Sequence, residues 1–122
     1  MKNLISIFEI PAKDFSRAVK FYQAILDISI EKVEMDGVEM GLFPGADNSV
    51  TGSVIKGSDY KPSADGVIIY LNGGDDLQVV LDRVEANKGK ILVPKTQISP
   101  ESGFYALFID TEGNKLGLHS AN

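Results

Sequence analysis

The chain has 122 residues, which predicts a single domain and excludes a multidomain protein. Hydrophobic residues make up 43% of it and charged residues 24%, so it can bury a core and is not intrinsically disordered. Seventeen acidic residues against twelve basic ones give a formal net charge of −5, with both signs scattered along the chain, so the basic stripe that nucleic-acid binders need is absent from the sequence.

The first elements are a strand and an amphipathic helix. Residues 4–10 are rich in β-branched and aromatic side chains, and Pro11, which cannot donate to a sheet ladder, ends the run. Asp14 stands where an N-cap belongs, and apolar residues recur after it at helical spacing. The pattern predicts a helix that ends near Leu26 and Asp27.

Three short strands and a polar surface loop are predicted next. Asp36 and Gly37 give a strong hairpin signal between the first two strands, because a two-residue turn needs positive φ values that these residues tolerate. The predicted strands are 29–35, 38–43 and 49–55, with a turn at 44–48 and the loop at 57–65.

The same pattern then starts again. Residues 66–71 form a near-continuous apolar run, which is typical of a strand buried on both faces. Asp75 or Asp76 can cap the helix that follows, and Gly89 stands where a left-handed residue is expected at the helix end.

Three more strands complete the second half, at 90–93, 104–109 and 115–119. Residues 110–114 form the hairpin turn between the last two, and Gly113 and Asn114 are best able to adopt positive φ there. The order of one strand, one helix and three strands therefore occurs twice, which indicates an internal duplication. The aromatic residues Phe21, Tyr22, Tyr70, Phe104 and Tyr105 are interpreted as core or interface residues.

Two motifs carry a family resemblance. Residues 8–22 resemble the opening strand and helix of the vicinal oxygen chelate superfamily, which includes glyoxalase I, extradiol dioxygenases and bleomycin-resistance proteins. Residues 110–118 resemble its closing Asp-Pro-x-Gly-Asn turn and last strand, with Thr111 in place of the usual proline. The resemblance implies an α+β fold in one domain, 1–122. Two βαβββ modules, about 1–57 and 65–122, would form a curled cup-shaped mixed sheet with the helices outside.

Metal-dependent members of that superfamily take ligands from strands that line the cup. Carried over onto this chain, the matching positions are Ile7, Val67 and Gly117, and more loosely Ser53. Ile, Val and Gly have no donor side chain, whereas a catalytic divalent ion needs about three protein ligands. We therefore expect no metal and no other cofactor.

Several residues are predicted to line the cup. Glu9 shares the alternation of Ile7, so its carboxylate could act as a general base or bind a cationic ligand, or it could lie solvated at the rim beside Lys115. His119 is either an exposed residue near the end of the last strand or a proton donor. The predicted ligand pocket consists of Ile7, Glu9, Ser53, Val67, Ile69, Gly117 and His119.

Three functions stay open at this point. The first is a metal-free, glyoxalase-like or bleomycin-resistance-like homodimer that binds a small apolar or cationic molecule in its cup. The second is a lyase or isomerase that uses Glu9, with or without His119, as acid and base. The third is a structural or interaction module with a filled cup.

The numbers of cysteine and histidine residues exclude two kinds of catalytic site. The chain has no cysteine, and His119 is its one histidine, so thiolate chemistry and any site with two imidazoles are excluded. The sequence has no apolar run of signal-peptide or transmembrane length, so we expect a cytoplasmic protein without a membrane partner.

Overall fold

The computed structural model describes residues 3–45 and 49–122. The described elements follow the predicted order of strand, helix and three strands, twice over. They are β1 (Ile7–Pro11), α1 (Phe15–Leu26), β2 (Glu31–Met35), β3 (Val38–Leu42), β4 (Thr51–Lys56), β5 (Tyr70–Asn72), α2 (Leu77–Ala86), β6 (Lys90–Ser99), β7 (Gly103–Ile109) and β8 (Lys115–Ser120).

The strands form two four-stranded mixed sheets with the same topology. The first has the order β1-β4-β3-β2 and the second the order β5-β8-β7-β6. In each sheet the strand before the helix pairs parallel with the last strand, and the other neighbours pair antiparallel. The predicted α+β fold with two βαβββ units is confirmed, and the described ladders do not close a barrel.

Capping side chains start both helices. Asp14 accepts a hydrogen bond from the N–H of Arg17 at α1, and Asp76 accepts one from Gln78 at α2. At the end of α1, Asp27 adopts a left-handed conformation with φ 54°, and its N–H returns to the carbonyl of Gln23. None of the described helices is long and apolar enough to span a membrane.

A single hydrophobic core lies between the two helices and the sheet faces that they cover. Phe21 of α1 packs against Phe108 of β7, with ring centroids 6.2 Å apart, and the two helices contact each other. Ile10 and Val54 of the first sheet and Leu118 of the second belong to the same cluster. The two halves of the chain therefore bury their apolar residues together.

Two local predictions about the second half are wrong. Strand β5 covers only Tyr70–Asn72, and Val67 is 92% exposed, so the apolar run 66–71 is not a strand buried on both faces. Lys88, with φ 74°, takes the left-handed position expected for Gly89. Close packing explains the glycine at position 89, because a Cβ there would lie 2.9 Å from Cε1 of Phe21.

The predicted turns are confirmed except at two places. Asp36 and Gly37 have φ values of 53° and 79°, as the hairpin requires. Gly113 has φ 96°, whereas Asn114 is not among the described residues with positive φ. Asn114 is buried and uses its side chain to join distant segments, as described below. The predicted turn at 44–48 lies partly outside the described residues.

Candidate functional site

Each sheet has one face against the helices and one opposite face, called here the open face. In β1, Phe8 and Ile10 pack into the shared core, while Ile7 and Glu9 alternate with them and are exposed. This is the orientation that the sequence predicted for Ile7 and Glu9. Ile7 is 68% exposed, so the open face presents apolar surface to solvent at this strand.

Glu9 and Ser53 are neighbours on the open face of the first sheet. The parallel register of β1 and β4 pairs these two residues directly. Ser53 is only 3% exposed, and its Oγ atom is buried without a hydrogen-bond partner. Such groups are uncommon in folded proteins, since an unpaired buried hydroxyl costs free energy. Glu9 is exposed and, among the described residues, forms no ion pair with Lys115, so its role in binding or catalysis stays a prediction.

The equivalent place in the second sheet holds an aromatic ring above a glycine. Tyr70 of β5 pairs in register with Gly117 of β8, and a Cβ at Gly117 would lie 2.3 Å from Cδ2 of Tyr70. Tyr70 is 49% exposed, so it is not a core residue. Its ring also contacts that of Tyr105, with centroids 6.5 Å apart and an interplanar angle of 62°.

His119 lies on the same open face and is exposed. Its Nε2 lies 2.7 Å from the backbone carbonyl oxygen of Ser102. A carbonyl only accepts, so Nε2 is the protonated nitrogen and donates this bond. This hydrogen bond ties Nε2 to the backbone at Ser102, so Nδ1 is the ring nitrogen that is left to accept a hydrogen bond.

A cavity of about 760 Å³ lies between the two halves. Its walls come from β1, β4, the end of α1 and the segment around β5, and they are mostly apolar. Of the predicted pocket residues, only Val67 and Ile69 line it; Ile7, Glu9, Ser53, Gly117 and His119 do not. The lining residues are Ile5, Phe8, Leu26, Ile28, Phe43, Pro44, Val50, Gly52 and Val67 to Asn72.

Most of this cavity has no local signal in the sequence. Phe8 and Phe43 form one wall, with ring centroids 5.8 Å apart. Gly52 makes room for that wall, since a Cβ there would lie 2.1 Å from Cζ of Phe8. The lining residues that the sequence does not predict come from segments far apart in the chain, and only the tertiary fold brings them together.

The turn 110–114 joins the second half to the first. The carboxylate of Glu112 accepts hydrogen bonds from the backbone N–H groups of Lys13 and Asp14, at 2.8 and 2.7 Å, and from the guanidinium of Arg17. The Glu112 side chain is 1% exposed. Burial alone would raise the pKa of Glu112, but the donors, including the hydroxyl of Thr111, outweigh burial and lower it to about 2.

A second buried contact set starts from the same turn. The hydroxyl of Tyr22 donates to Asp110 at 2.7 Å, and the side-chain amide of Asn114 donates to the carbonyl of Pro11 at 2.7 Å. Burial, and then the negative charge of Asp110, raise the pKa of Tyr22 well above its ordinary value. Asp110 and Glu112 are thus occupied in holding the fold together and are not free for catalysis.

The positions that the family resemblance assigns to a metal do not fit one. Ile7, Val67 and Gly117 bring no donor atom, and Tyr70 covers Gly117. Ala12 in the first half and Gly73 in the second donate equivalent hydrogen bonds to the last strand of their sheets, and counting back from them aligns Ile7 with Ile68. Ile68 has no donor side chain either. Ser53 offers a single hydroxyl. Within residues 3–45 and 49–122, no group of three His, Asp or Glu residues could hold a metal ion.

Comparisons with known proteins agree with this fold. A family model described as "Glyoxalase/Bleomycin resistance protein/Dioxygenase superfamily" matches residues 4–118. A "Glyoxylase-like domain-containing protein" of Didymella fabae is 31% identical over 115 residues, which is 90% of this chain and 88% of that protein.

Solved structures give the same result for the fold. A glyoxalase/bleomycin resistance protein from Albidiferax ferrireducens T118 superposes with a TM-score of 0.73 at 16% identity, over 95% of this chain and 97% of that one. A V278E mutant of glyoxalase I from Zea mays gives 0.71 at 16% identity, over 95% of this chain. The chain spans 45% of that maize protein, which is about half its length.

Proposed function

The chain belongs to the Glyoxalase/Bleomycin resistance protein/Dioxygenase superfamily, and from that premise we propose that it binds a small apolar molecule in the cavity between its two halves. The observation that carries the proposal is the cavity itself. Its volume of about 760 Å³ falls within the range of roughly 300–1,000 Å³ that is usual for ligand sites. A module with a filled interior would lack a space of this size.

The walls of the cavity favour an apolar ligand. Leu26 at the end of α1 and Ile28 just beyond it line the cavity together with the rings of Phe8 and Phe43. No charged side chain is among the described lining residues. Burying apolar ligand surface against such walls gives about 25 cal/mol for each Å² removed from water. A phosphate or a sugar would lose its hydration there and find few polar side chains, those of Tyr70 and Asn72, among the described lining residues.

The test of this proposal is 1-octanol binding, measured by isothermal titration calorimetry. We expect saturable binding to the wild type and at least a tenfold weaker affinity for Val50→Trp, because the indole would project from the wall into the space that the ligand occupies. The control is Val79→Trp, since Val79 is 53% exposed on α2 and does not line the cavity. Equal affinities of both variants and the wild type would contradict the proposal.

We propose further that the chain works as a homodimer. The sheets have unpaired outer strands, and the open face carries exposed apolar residues such as Ile7 and Met35, at 68% and 59% exposure. A second copy is the simplest cover for both. Light scattering at micromolar concentration should give twice the monomer mass of 13.2 kDa, and a monomer mass would refute the dimer. The cytoplasmic location and the lack of a cofactor stay predictions.

A second candidate function is acid-base catalysis by Glu9, with His119 as a possible partner. Support comes from the unpartnered hydroxyl of Ser53 beside the exposed Glu9 carboxylate. A turnover screen with hemithioacetals, catechols and epoxides should then find activity that Glu9→Gln abolishes and Glu34→Gln, an exposed control, retains. Activity that survives Glu9→Gln would remove Glu9 from the mechanism.

A further inference from the structure

We propose that Tyr70 and Tyr105 form an aromatic subsite that stacks a planar aromatic ring of the bound molecule. The inference rests on the proposed function, because it assigns the chemical class of ligand for the same site. Tyr70 lines the cavity and also lies on the open face of the second sheet, so it stands where the two regions meet. A molecule with an apolar part in the cavity would bring its remaining part to this ring.

The geometry keeps one side of the Tyr70 ring available. Its other side covers Gly117, where even a single Cβ would lie 2.3 Å from the ring. Half of the Tyr70 side chain nevertheless stays exposed, at 49%. The strand pairing and the glycine thus hold the ring in a fixed position with a free surface. A ring that is already ordered loses little entropy when it binds a partner.

Tyr105 supplies the second wall of the subsite. Its ring meets that of Tyr70 at 62°, so the two rings form an angled recess and not a flat patch. Aromatic rings prefer offset-stacked and edge-to-face contacts, and an angled pair offers one of each to a third ring. A puckered aliphatic ring can touch the same surfaces, but it has no flat π face for offset stacking.

Polar groups surround this recess and could orient the ligand. Tyr105 pairs in register with His119 on one side and with Thr96 on the other, so all three share the open face. The Nδ1 of His119 is not used by its contact with Ser102. A hydroxyl on the ligand ring therefore has hydrogen-bonding groups within the same surface.

The position of Tyr70 also explains the residue that replaces the family's expected ligand. A carboxylate side chain at position 117 would occupy the volume that the Tyr70 ring takes. Gly117 and Tyr70 therefore belong together, and the place that a metal ligand would hold in the family's metal-dependent members is taken here by a ring.

The experiment compares 2-naphthol with decahydro-2-naphthol, two neutral molecules of the same skeleton that differ in the flat ring system. Isothermal titration calorimetry should show 2-naphthol binding about tenfold more tightly to the wild type, which is the size of effect that aromatic stacking gives. Tyr70→Ala should abolish this preference, and Tyr70→Phe should keep it. Tyr60→Ala is the control, because Tyr60 lies beside Gly57 in a loop and lines no part of the site.

Gly117→Ala provides a second variant with the tyrosine intact. The added Cβ must displace the Tyr70 ring, so the preference for 2-naphthol should fall although both rings remain. Since the chain has no tryptophan, its four tyrosines supply the fluorescence, and the part that Tyr70→Phe removes reports the environment of this ring.

The outcomes separate this proposal from the one on which it rests. Equal binding of the two naphthols to the wild type, or a preference that Tyr70→Ala leaves unchanged, overturns the aromatic subsite while 1-octanol binding still supports the cavity. Failure of 1-octanol and both naphthols to bind overturns both proposals.

Discussion

The two halves of the chain share one topology but use it differently at equivalent positions. In each half, the residue that follows the first strand donates its N–H to the last strand: Ala12 to Ile55, and Gly73 to His119. Counting back from these bonds aligns Glu9 and Ser53 with Tyr70 and Gly117. The first half thus presents a carboxylate and a buried hydroxyl, and the second a ring over a glycine. The duplication fixes the backbone, and the side chains decide what each open face can bind.

The junctions between first strand and helix differ as well. Glu112 holds the first junction through a buried carboxylate, whereas Ser120 holds the second, with its hydroxyl accepting from the N–H of Leu77 at 2.9 Å. Each helix buries a side chain eight residues after its N-cap. In α1, capped by Asp14, this residue is Tyr22, and in α2, capped by Asp76, it is Val84. A buried carboxylate therefore secures the first junction. At the second, the buried contact is a neutral hydroxyl, and the ion pair between Asp76 and Lys95 lies at a half-exposed carboxylate.

Removing the charge from the first junction should have the largest effect. Glu112→Gln should lower the free energy of unfolding by about 3 kcal/mol at pH 7, because it leaves backbone and guanidinium donors without their carboxylate. The pKa of Glu112 is lowered to about 2 in the folded state. Its contribution is therefore complete above the unfolded-state pKa and is lost as the pH falls towards 2.

Urea denaturation between pH 2 and 7 checks both statements. The wild type should lose stability through this acid window, and Glu112→Gln should lose markedly less. Glu101→Gln, an exposed carboxylate in a neighbouring turn, is the control and should leave the pH profile unchanged. A Glu112→Gln profile parallel to that of the wild type would mean that the junction does not depend on charge.

The next largest effect is expected at the tyrosine of α1. Tyr22→Phe removes the donor to Asp110 and leaves that buried carboxylate with fewer partners, so it should cost about 2 kcal/mol. The equivalent Val84 has no polar atom to lose. Tyr60→Phe serves as the reference, and denaturation midpoints measure the difference. A cost for Tyr22→Phe no larger than for Tyr60→Phe would show that this bond contributes little.

Alanine at Ser53 and at Gly117 compares the two open faces directly. Ser53→Ala should be neutral or slightly stabilising, because the hydroxyl it removes is buried and has no partner. Gly117→Ala should destabilise by about 1 kcal/mol, since the half-exposed ring of Tyr70 must move. Thermal melts of both variants test this. A destabilising Ser53→Ala would indicate that the hydroxyl has a partner after all.

Local patterns were enough to predict the order of the elements and the facing of β1, whereas the arrangement of the strands into two mixed sheets was predicted from the family resemblance. The N-caps at Asp14 and Asp76 and the alternation along Ile7 to Ile10 are properties of adjacent residues, so the sequence displays them. The apolar run 66–71 shows no alternation, and nothing in it tells which side of Tyr70 faces solvent. The sequence therefore predicts a core or interface position for Tyr70, whereas the structure leaves it 49% exposed.

The role of Glu112 was beyond the reach of such patterns. A charged residue in a turn is ordinarily solvated, and its partners Lys13, Asp14 and Arg17 lie more than 90 residues away in the chain. The cavity was missed for the same reason, since its walls come from both halves. Contacts that only the tertiary fold creates leave no periodic signal in the sequence.

Added metal ions should leave the stability of both halves unchanged, which is the smallest effect expected. The ligand positions that the family resemblance assigns hold Ile7, Val67, Gly117 and Ser53, and the structure aligns Ile68 with Ile7; together these residues offer one hydroxyl oxygen. Purified protein should contain well under one equivalent of transition metal. Added Ni²⁺, Zn²⁺ or Mn²⁺ should not raise the melting temperature, although a ligand at a hundred times its Kd would stabilise the native state by about 2.7 kcal/mol. Elemental analysis that finds a stoichiometric metal, lost in Glu9→Ala, would show that the first half supplies a ligand set displaced along its strands. The carboxylate of Glu9 would then be a metal ligand, and acid-base catalysis would become the leading function.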